Sequence, residues 1–387
     1  MVKPELLVWA REDAGYSQAD AARKVQVKPD RLIAWETGAA KPSIAQLRKL
    51  AGIYKRPLAV FYLSEPPKKF QAMHDFRRLP SEAGAESPEL RYQIRRASYR
   101  RQVALDLFSS LGVEPPQFSA ASAVTENPEL VAARLRALLA VKNQSQRGWK
   151  NEYEALNAWR EGLETLGILV FHITGVEVSE ARGFSLSDRP LPVVAANIKD
   201  SVRGRIFTML HEMAHLTLDE GGLCDLEEKG ARAPADQRAE VFCNHVAGAV
   251  AVPEKELAND PVVRAHGQSV EWSDTEIASL ARGFWVSREV IVRRLLVVGR
   301  TNEEFYRRKR EQYQAEYQKL DKPAGFAPPY QLALSSAGLL FARLALESYY
   351  REKITSSDLS EFLDVRLKHI PKIEGLVYRR MAAGEAV

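Results

Sequence analysis

His211-Glu212-Met213-Ala214-His215 puts two imidazoles and a carboxylate within five residues. On a helix, positions four apart share a face, so both histidines can reach one metal ion. Glu212 projects about 100° away. From there it misses the metal but can take a proton from water beside it, as a general base does. A catalytic zinc site needs a third protein ligand and one open position. The extended spacing that ends in a third histidine would require Gly at 218 and His at 221. Those positions are Leu218 and Gly221, so the third ligand must come from elsewhere. Residues 237–250 read as a later helix stopped by Pro253, with Glu240 in its first turns and Asn244 and Ala247 on the same face. Glu240 is the favoured ligand, and Asn244 is a candidate neighbour of it. Cys243 and His245 are alternatives on other faces, whereas Asp219 and Glu220 follow His215 too closely. The ion expected is Zn²⁺, which lowers the pKa of water and polarises a carbonyl.

The elements that must hold these groups are legible around them. Asp200 or Ser201 can cap the histidine helix, and Val202, Ile206, Met209, Met213 and Leu216 form an apolar stripe at helical spacing. The histidines lie opposite that stripe, so one face should meet the core and the other a pocket. Ala247, Gly248 and Ala249 would let the later helix approach closely. Before them, 168–173, 183–186 and 192–198 read as short strands. The last of these could accept an extended peptide by backbone pairing. Residues 130–166 read as helix interrupted near 143–147, and everything after Ser201 is helical in pattern. No internal repeat of fixed period is evident.

The 387 residues allow two or three domains. No run of eighteen apolar residues exists, so no membrane span is expected. The first residues, MVKPELLVWARED, lack the pattern of a signal peptide. Two cysteines, Cys224 and Cys243, make no disulfide framework, and a reducing cytoplasm is the expected home. Charge is uneven: residues 1–60 hold 11 Lys/Arg against 6 Asp/Glu, and the first 105 residues carry +9 of a total +5. A basic first third on a near-neutral body implies a polyanion partner for that third.

That third reads as short helices with tight turns: 5–13, 17–24 behind Ser17, 29–38 and 43–50. Ala10-Arg11, Gly15-Tyr-Ser-Gln18, Ala21-Ala22, Val27, Trp35-Glu36-Thr-Gly38, Pro42, Leu47 and Leu50-Ala51 resemble a helix-turn-helix of the Xre type. The resemblance places Lys28 to Glu36 in the major groove, with Leu32 and Trp35 inward and Gln18, Lys28 and Arg31 facing DNA. Gln26 replaces the usual turn glycine, and Lys28 the usual capping serine. Residues 64–69 are a proline-rich linker. The arginines at 91, 95, 96, 100 and 101 lie on one long helix, where they form either a solvated face or further phosphate contacts.

As a whole, the chain resembles the ImmA/IrrE family of metallopeptidases fused to an Xre-type DNA-binding domain. The carriers are Gly183-Phe184, 192–198, Arg205 through His215, and Glu240-Val-Phe-Cys-Asn244 with Val252-Pro253. The resemblance implies His211, His215 and Glu240 as zinc ligands, Glu212 as the catalytic base, and a helix-turn-helix repressor as protein substrate. The expected fold is mainly α with a small β-sheet (α+β). It comprises an all-α helix-turn-helix domain (1–63), a linker and basic helix (64–124), a zincin-like α+β peptidase domain (125–300) and a helical C-terminal region (301–387). Thr355 to Asp358 opens another pair like a helix-turn-helix, read as a packed tail or as a partner or dimer module. The competing function is a DNA-binding regulator or antitoxin whose peptidase-like domain is a sensor.

Overall fold

The computed structural model describes residues 2–67, 86–218, 223–224, 234–319 and 328–384. They fall into two compact units, one up to Arg96 and one from Ala97 onward. The first opens with α1 (Pro4–Asp13), α2 (Gln18–Val25), α3 (Pro29–Glu36) and α4 (Ile44–Tyr54), then a 3-10 turn at Leu58–Tyr62. Ser17 accepts the Asp20 amide to cap α2, and Ser43 and Gln46 form a reciprocal capping box on α4. The α2–α3 turn passes through Gln26 at φ +65°, the left-handed conformation that glycine adopts at less cost. Gln26 adopts it with its side-chain oxygen accepting from Lys49 Nζ at 2.7 Å. Leu6, Leu32, Trp35, Leu47 and Leu50 close the core. Arg11 Nε donates to Glu36 Oε1 at 2.7 Å inside it, tying α1 to α3.

Helix α5 (Pro88–Leu111) carries the arginine series. Its arginines form neither a solvated face nor a row left open for phosphate. In the first unit, Arg91 donates to Glu12 O, and Arg95 to Asp13 O and Oδ2. In the second, Arg100 donates to Ser336, and Arg101 to the carbonyls of Pro190 and Leu191. Each of these four guanidiniums donates to a backbone carbonyl. Lys68 and Lys69 of the linker lie outside the described residues.

The second unit continues with α6 (Pro128–Leu138), α7 (Asn143–Gly148) and α8 (Glu152–Thr165). Here the expected interruption at 143–147 is corrected: that segment is itself helical, and the breaks flank it at Ala140 (φ +54°) and extended Trp149. Gln146 explains the extra turn, donating to the carbonyls of Ala251 and Phe284. Next come β1 (Leu169–Ile173), β2 (Gly183–Leu186), β3 (Val193–Asn197), α9 (Val202–Thr217), β4 (Leu223–Cys224) and α10 (Pro234–Ala251). The strands form one sheet in the order β1-β3-β2-β4, with β3 parallel to β1 and antiparallel to β2. Strand β3 therefore has neighbours on both sides and no edge for a peptide, which corrects the expectation for 192–198. Burial on both faces is why β1 and β3 are nearly unbroken apolar runs.

The remaining helices are α11 (Glu254–Ala258), α12 (Pro261–His266), α13 (Asp274–Phe284), α14 (Arg288–Val297), α15 (Glu303–Lys319), α16 (Pro329–Ala337), α17 (Leu339–Tyr350), α18 (Ser356–Leu363) and, after a 3-10 turn at Leu367–His369, α19 (Ile370–Gly384). Helices α16 and α17 pack on β1 and α8 rather than trailing from the unit. His172 Nδ1 on β1 meets Ser335 Oγ at 2.7 Å, and Phe171 packs edge-on against Phe341. Glu164 of α8 accepts the amides of Leu339 and Leu340, a carboxylate at the start of α17. Gly338 sits at φ +86°, where a Cβ would lie 2.7 Å from the Val170 carbonyl oxygen. Only glycine fits that approach. Among the described residues, no helix is long and apolar enough to cross a membrane.

The Arg11–Glu36 pair yields a test, since neither side chain has access to water to replace its partner. Replacing Glu36 by Gln leaves the buried guanidinium only the exposed Glu12 carboxylate at 3.5 Å and is expected to cost the first unit up to about 3–5 kcal/mol. Urea unfolding followed through the fluorescence of Trp9 and Trp35 would show an earlier transition for that unit.

Candidate metal centre and nucleic-acid interface

Helix α9 begins where Ser201 Oγ accepts the Gly204 amide, while Asp200 accepts the Ser201 amide and an Arg182 guanidinium hydrogen bond. Glycine at 204 leaves room for that carboxylate, 2.6 Å from where a Cβ would stand. The helix then crosses β2 and β3. At Gly183 a Cβ would fall 2.4 Å from Ala195 O and 2.5 Å from the Thr208 methyl, so glycine lets α9 lie directly against the sheet. The expected contrast of a core face and a pocket face is not found. Almost every side chain from Arg205 to Thr217 is buried, the histidines included. The reason is that α9 is packed between α8, α10 and the sheet, with Thr208 and Glu212 meeting β2 and the histidines meeting Glu240 of α10.

His211, His215 and Glu240 converge there, each contributing a ligand atom within 4.8 Å of the others. The separations are 3.0 Å between the two Nε2 atoms, 3.2 Å from His215 Nε2 to Glu240 Oε1 and 3.5 Å from His211 Nε2 to Glu240 Oε2. Ligands about 2.0–2.1 Å from a tetrahedral ion stand about 3.3 Å apart, so the triangle fits one ion. Burial lowers the His211 pKa, with Glu240 opposing it, which favours the neutral imidazole that a metal requires. His211 Nδ1 is buried with no hydrogen-bond partner among the described residues.

Glu212 is fully buried next to this triangle. Its Oε2 accepts from Ser185 Oγ on β2 at 2.6 Å, and its Oε1 has no partner among the described residues. Sequence reasoning did not single out Ser185; its signal was only a polar residue in an otherwise buried strand. Asn244 is buried one turn beyond Glu240 on α10. Of the alternative ligands, Cys243 is buried beside His215, and burial raises its thiol pKa. His245 points away, with Nε2 at 2.7 Å from Glu129 Oε1, where Arg294 also donates. Burial would raise the Glu129 carboxyl, but hydrogen bonds from His245 and Arg294 outweigh it and hold it at about 2. Asp219 and Glu220 lie outside the described residues. Gly248 makes room for the Arg294 side chain, 3.1 Å from where its Cβ would be, and not for α9 as expected.

In the first unit, Lys28 is exposed as the N-cap of α3, and Arg31 is exposed with its guanidinium 5.8 Å from the Trp35 ring. Leu32 and Trp35 point inward, each 1% exposed. Gln18 is exposed, but its Nε2 donates to Glu36 Oε2 at 2.9 Å, which ties the start of α2 to α3.

Residues 163–296 match the family model described as the IrrE N-terminal-like domain, a peptidase family, and residues 7–61 match that of a helix-turn-helix. The first match contains the metal triangle, and the second contains α2 and α3. Among curated proteins, none matches the chain.

A buried cluster with one net negative charge is stabilised by the ion it binds. A divalent ion at about a thousand times its Kd contributes about 4 kcal/mol. Chelation should therefore lower the melting temperature of the second unit by roughly 8–16 °C. Replacing Glu240 by Gln should abolish that metal-dependent shift, as read by calorimetry with and without chelator.

Proposed function

We propose that this chain, an Xre-type helix-turn-helix domain joined to an IrrE N-terminal-like metallopeptidase domain, is a zinc-dependent, site-specific endopeptidase. The observation that carries the reading is the buried triangle of His211, His215 and Glu240 with Glu212 beside it. Two imidazoles and one carboxylate are a catalytic zinc set that leaves one position open. Zinc, when bound, supplies a Lewis acid that acidifies water and polarises the peptide carbonyl.

The protein's own groups do the rest. His211 and His215 present neutral Nε2 atoms, and Glu240 supplies the charge. Ser185 holds Glu212 Oε2, which leaves Oε1 to take the proton of the attacking water. Oε1 then returns the proton to the leaving amine as the peptide bond breaks. An extended substrate would align on the outer edge of β2 at Ser185 and Leu186, since β4 pairs only with Gly183 and Phe184.

The substrate class proposed is a helix-turn-helix repressor of the Xre type, cleaved in a stress or mobile-element response. Support comes from the resemblance and from a DNA-binding module in the same chain, which would bring the protease to DNA-bound regulators. A homodimer and a cytoplasmic setting accompany this proposal.

Wild type and Glu212→Gln, both with zinc content measured, would be incubated with Xre-type repressors encoded beside the gene. Both should hold zinc, and only the wild type should cleave, with a rate difference of about 10²–10⁴-fold. Zinc in both, no cleavage by either and tight DNA binding would replace the peptidase reading with a sensor. Hydrolysis of casein would argue against a site-specific enzyme.

Ser185→Ala tests the positioning of the base. It should retain zinc and lose about 10–100-fold in kcat with KM little changed. Ser185→Thr, which keeps the hydroxyl, should recover most of the rate. Equal activity of wild type and Ser185→Ala would remove Ser185 from the mechanism.

A further inference from the structure

The last helices repeat the first ones, although the sequence shows no repeat by identity. Helices α17, α18 and α19 follow each other as α1, α2 and α3 do, and one gap-free register relates them. Thr355 takes the place of Ser17: each caps its helix by accepting the amide three residues on, from Asp358 and Asp20. Asp364 takes the place of Gln26: both are left-handed, at φ +53° and +65°. Each stands two residues ahead of the next cap, Arg366 and Lys28. In the same register Leu344 replaces Leu6, Leu359 replaces Ala21, Leu363 replaces Val25, Ile370 replaces Leu32 and Ile373 replaces Trp35, all buried. The buried Arg11–Glu36 pair is not repeated: Tyr349 stands in the place of Arg11, and the residue that meets Glu374 is the exposed Tyr350.

The outer face also differs. From Arg366 to Glu374 the chain has three basic residues and one acidic residue, whereas the matching Lys28 to Glu36 has two of each, Lys28 and Arg31 against Asp30 and Glu36. Arg366, Lys368 and Lys372 are exposed and, among the described residues, have no ion-pair partner. Another pair with this turn shows the contrast. Helices α13 and α14 share the turn, with Trp285 at φ +57° and a cap at Ser287, yet Val290, Ile291, Val292, Arg294 and Leu295 of α14 are buried in the core. That turn is scaffold. The C-terminal one keeps the leading end of its second helix in solvent and loads it with cations.

We propose that α18 and α19 form a second helix-turn-helix that binds duplex DNA, with Arg366, Lys368 and Lys372 on phosphates. The second helix of such a unit offers its first turns to the major groove, and lysine and arginine there replace counterions condensed on the backbone. The inference is independent of the peptidase reading, because no group of the metal centre enters it.

The test uses the full chain in a Lys28→Gln, Arg31→Gln background, which weakens the N-terminal contacts. Binding of a short duplex of arbitrary sequence is measured by anisotropy over a range of salt concentrations. The background protein should still bind. Adding Arg366→Gln, Lys368→Gln and Lys372→Gln should weaken binding about tenfold or more at low salt. The slope of log K against log salt should fall by about 0.9 for each phosphate that is no longer neutralised, or close to three in total. A charge-keeping variant, Arg366→Lys with Lys368→Arg and Lys372→Arg, should bind as the background does, which separates loss of charge from misfolding. Absence of binding in the background protein, or an unchanged slope in the triple Gln variant, would overturn the proposal. So would an unchanged slope accompanied by loss of self-association in sedimentation, which would assign this face to a protein partner.

Discussion

Two imidazole nitrogens and a carboxylate sit within 3.5 Å of one another, all three buried. Without a cation such an arrangement is costly, because lone pairs face lone pairs and the carboxylate has lost its hydration. The surrounding fold is arranged to keep those groups there. Helix α9 presents both histidines from one face, and α10 brings Glu240 across from the other side. Neither helix could hold its position alone, since each exposes polar groups to the interior at the point where they meet.

The sheet and the flanking helices supply the remaining constraint. Gly183 lets α9 rest against the backbone of β3, and Ser185, two residues along the same strand, reaches Glu212. One short strand therefore sets both the depth of the helix and the orientation of the candidate base. Helix α10 is fixed at a second point by a polar knot outside the metal triangle. There Glu129 of α6, His245 of α10 and Arg294 of α14 share hydrogen bonds, and Arg294 also satisfies the Val252 carbonyl. Burying that guanidinium is tolerable because all three of its nitrogens donate to the Glu129 carboxylate or to that carbonyl. Of these, His245 looks like a spare metal ligand in the sequence and serves instead to anchor the ligand helix.

One turn geometry recurs among the described residues, with a non-glycine residue in the left-handed region two positions ahead of the next helix cap: Gln26, Lys55, Ala140, Trp285 and Asp364. Burial sets the role of the helix that follows. Helix α14 is buried and belongs to the core of the second unit. Helix α3 leaves Lys28 and Arg31 exposed, and the turn leading into α19 leaves Arg366 and Lys368 exposed. The local rules for making the turn are the same, so local sequence alone does not separate scaffold from binding surface.

Spacing along one chain segment was enough to find much of the site. His211 and His215 are neighbours on any helix, Ser17 and Ser43 cap whatever follows them, and 168–173 has the composition of a buried strand; these depend on interactions within a few residues. The choice of Glu240 over His245 and Cys243 was only a preference from sequence, because three faces of one helix cannot be ranked without knowing what lies opposite. In the fold, His245 turns to Glu129 and Glu240 to the histidines. Ser185, the internal position of β3, the burial of α9 on all sides and the arginines of α5 bonded to distant carbonyls were equally beyond the sequence. Each depends on contacts between segments tens to hundreds of residues apart, and no local pattern encodes which segments will meet. The likeness of the last three helices to the first three was hidden for a related reason. Buried positions constrain size and polarity rather than identity, so Trp35 and Ile373 fill the same place without resembling each other as letters.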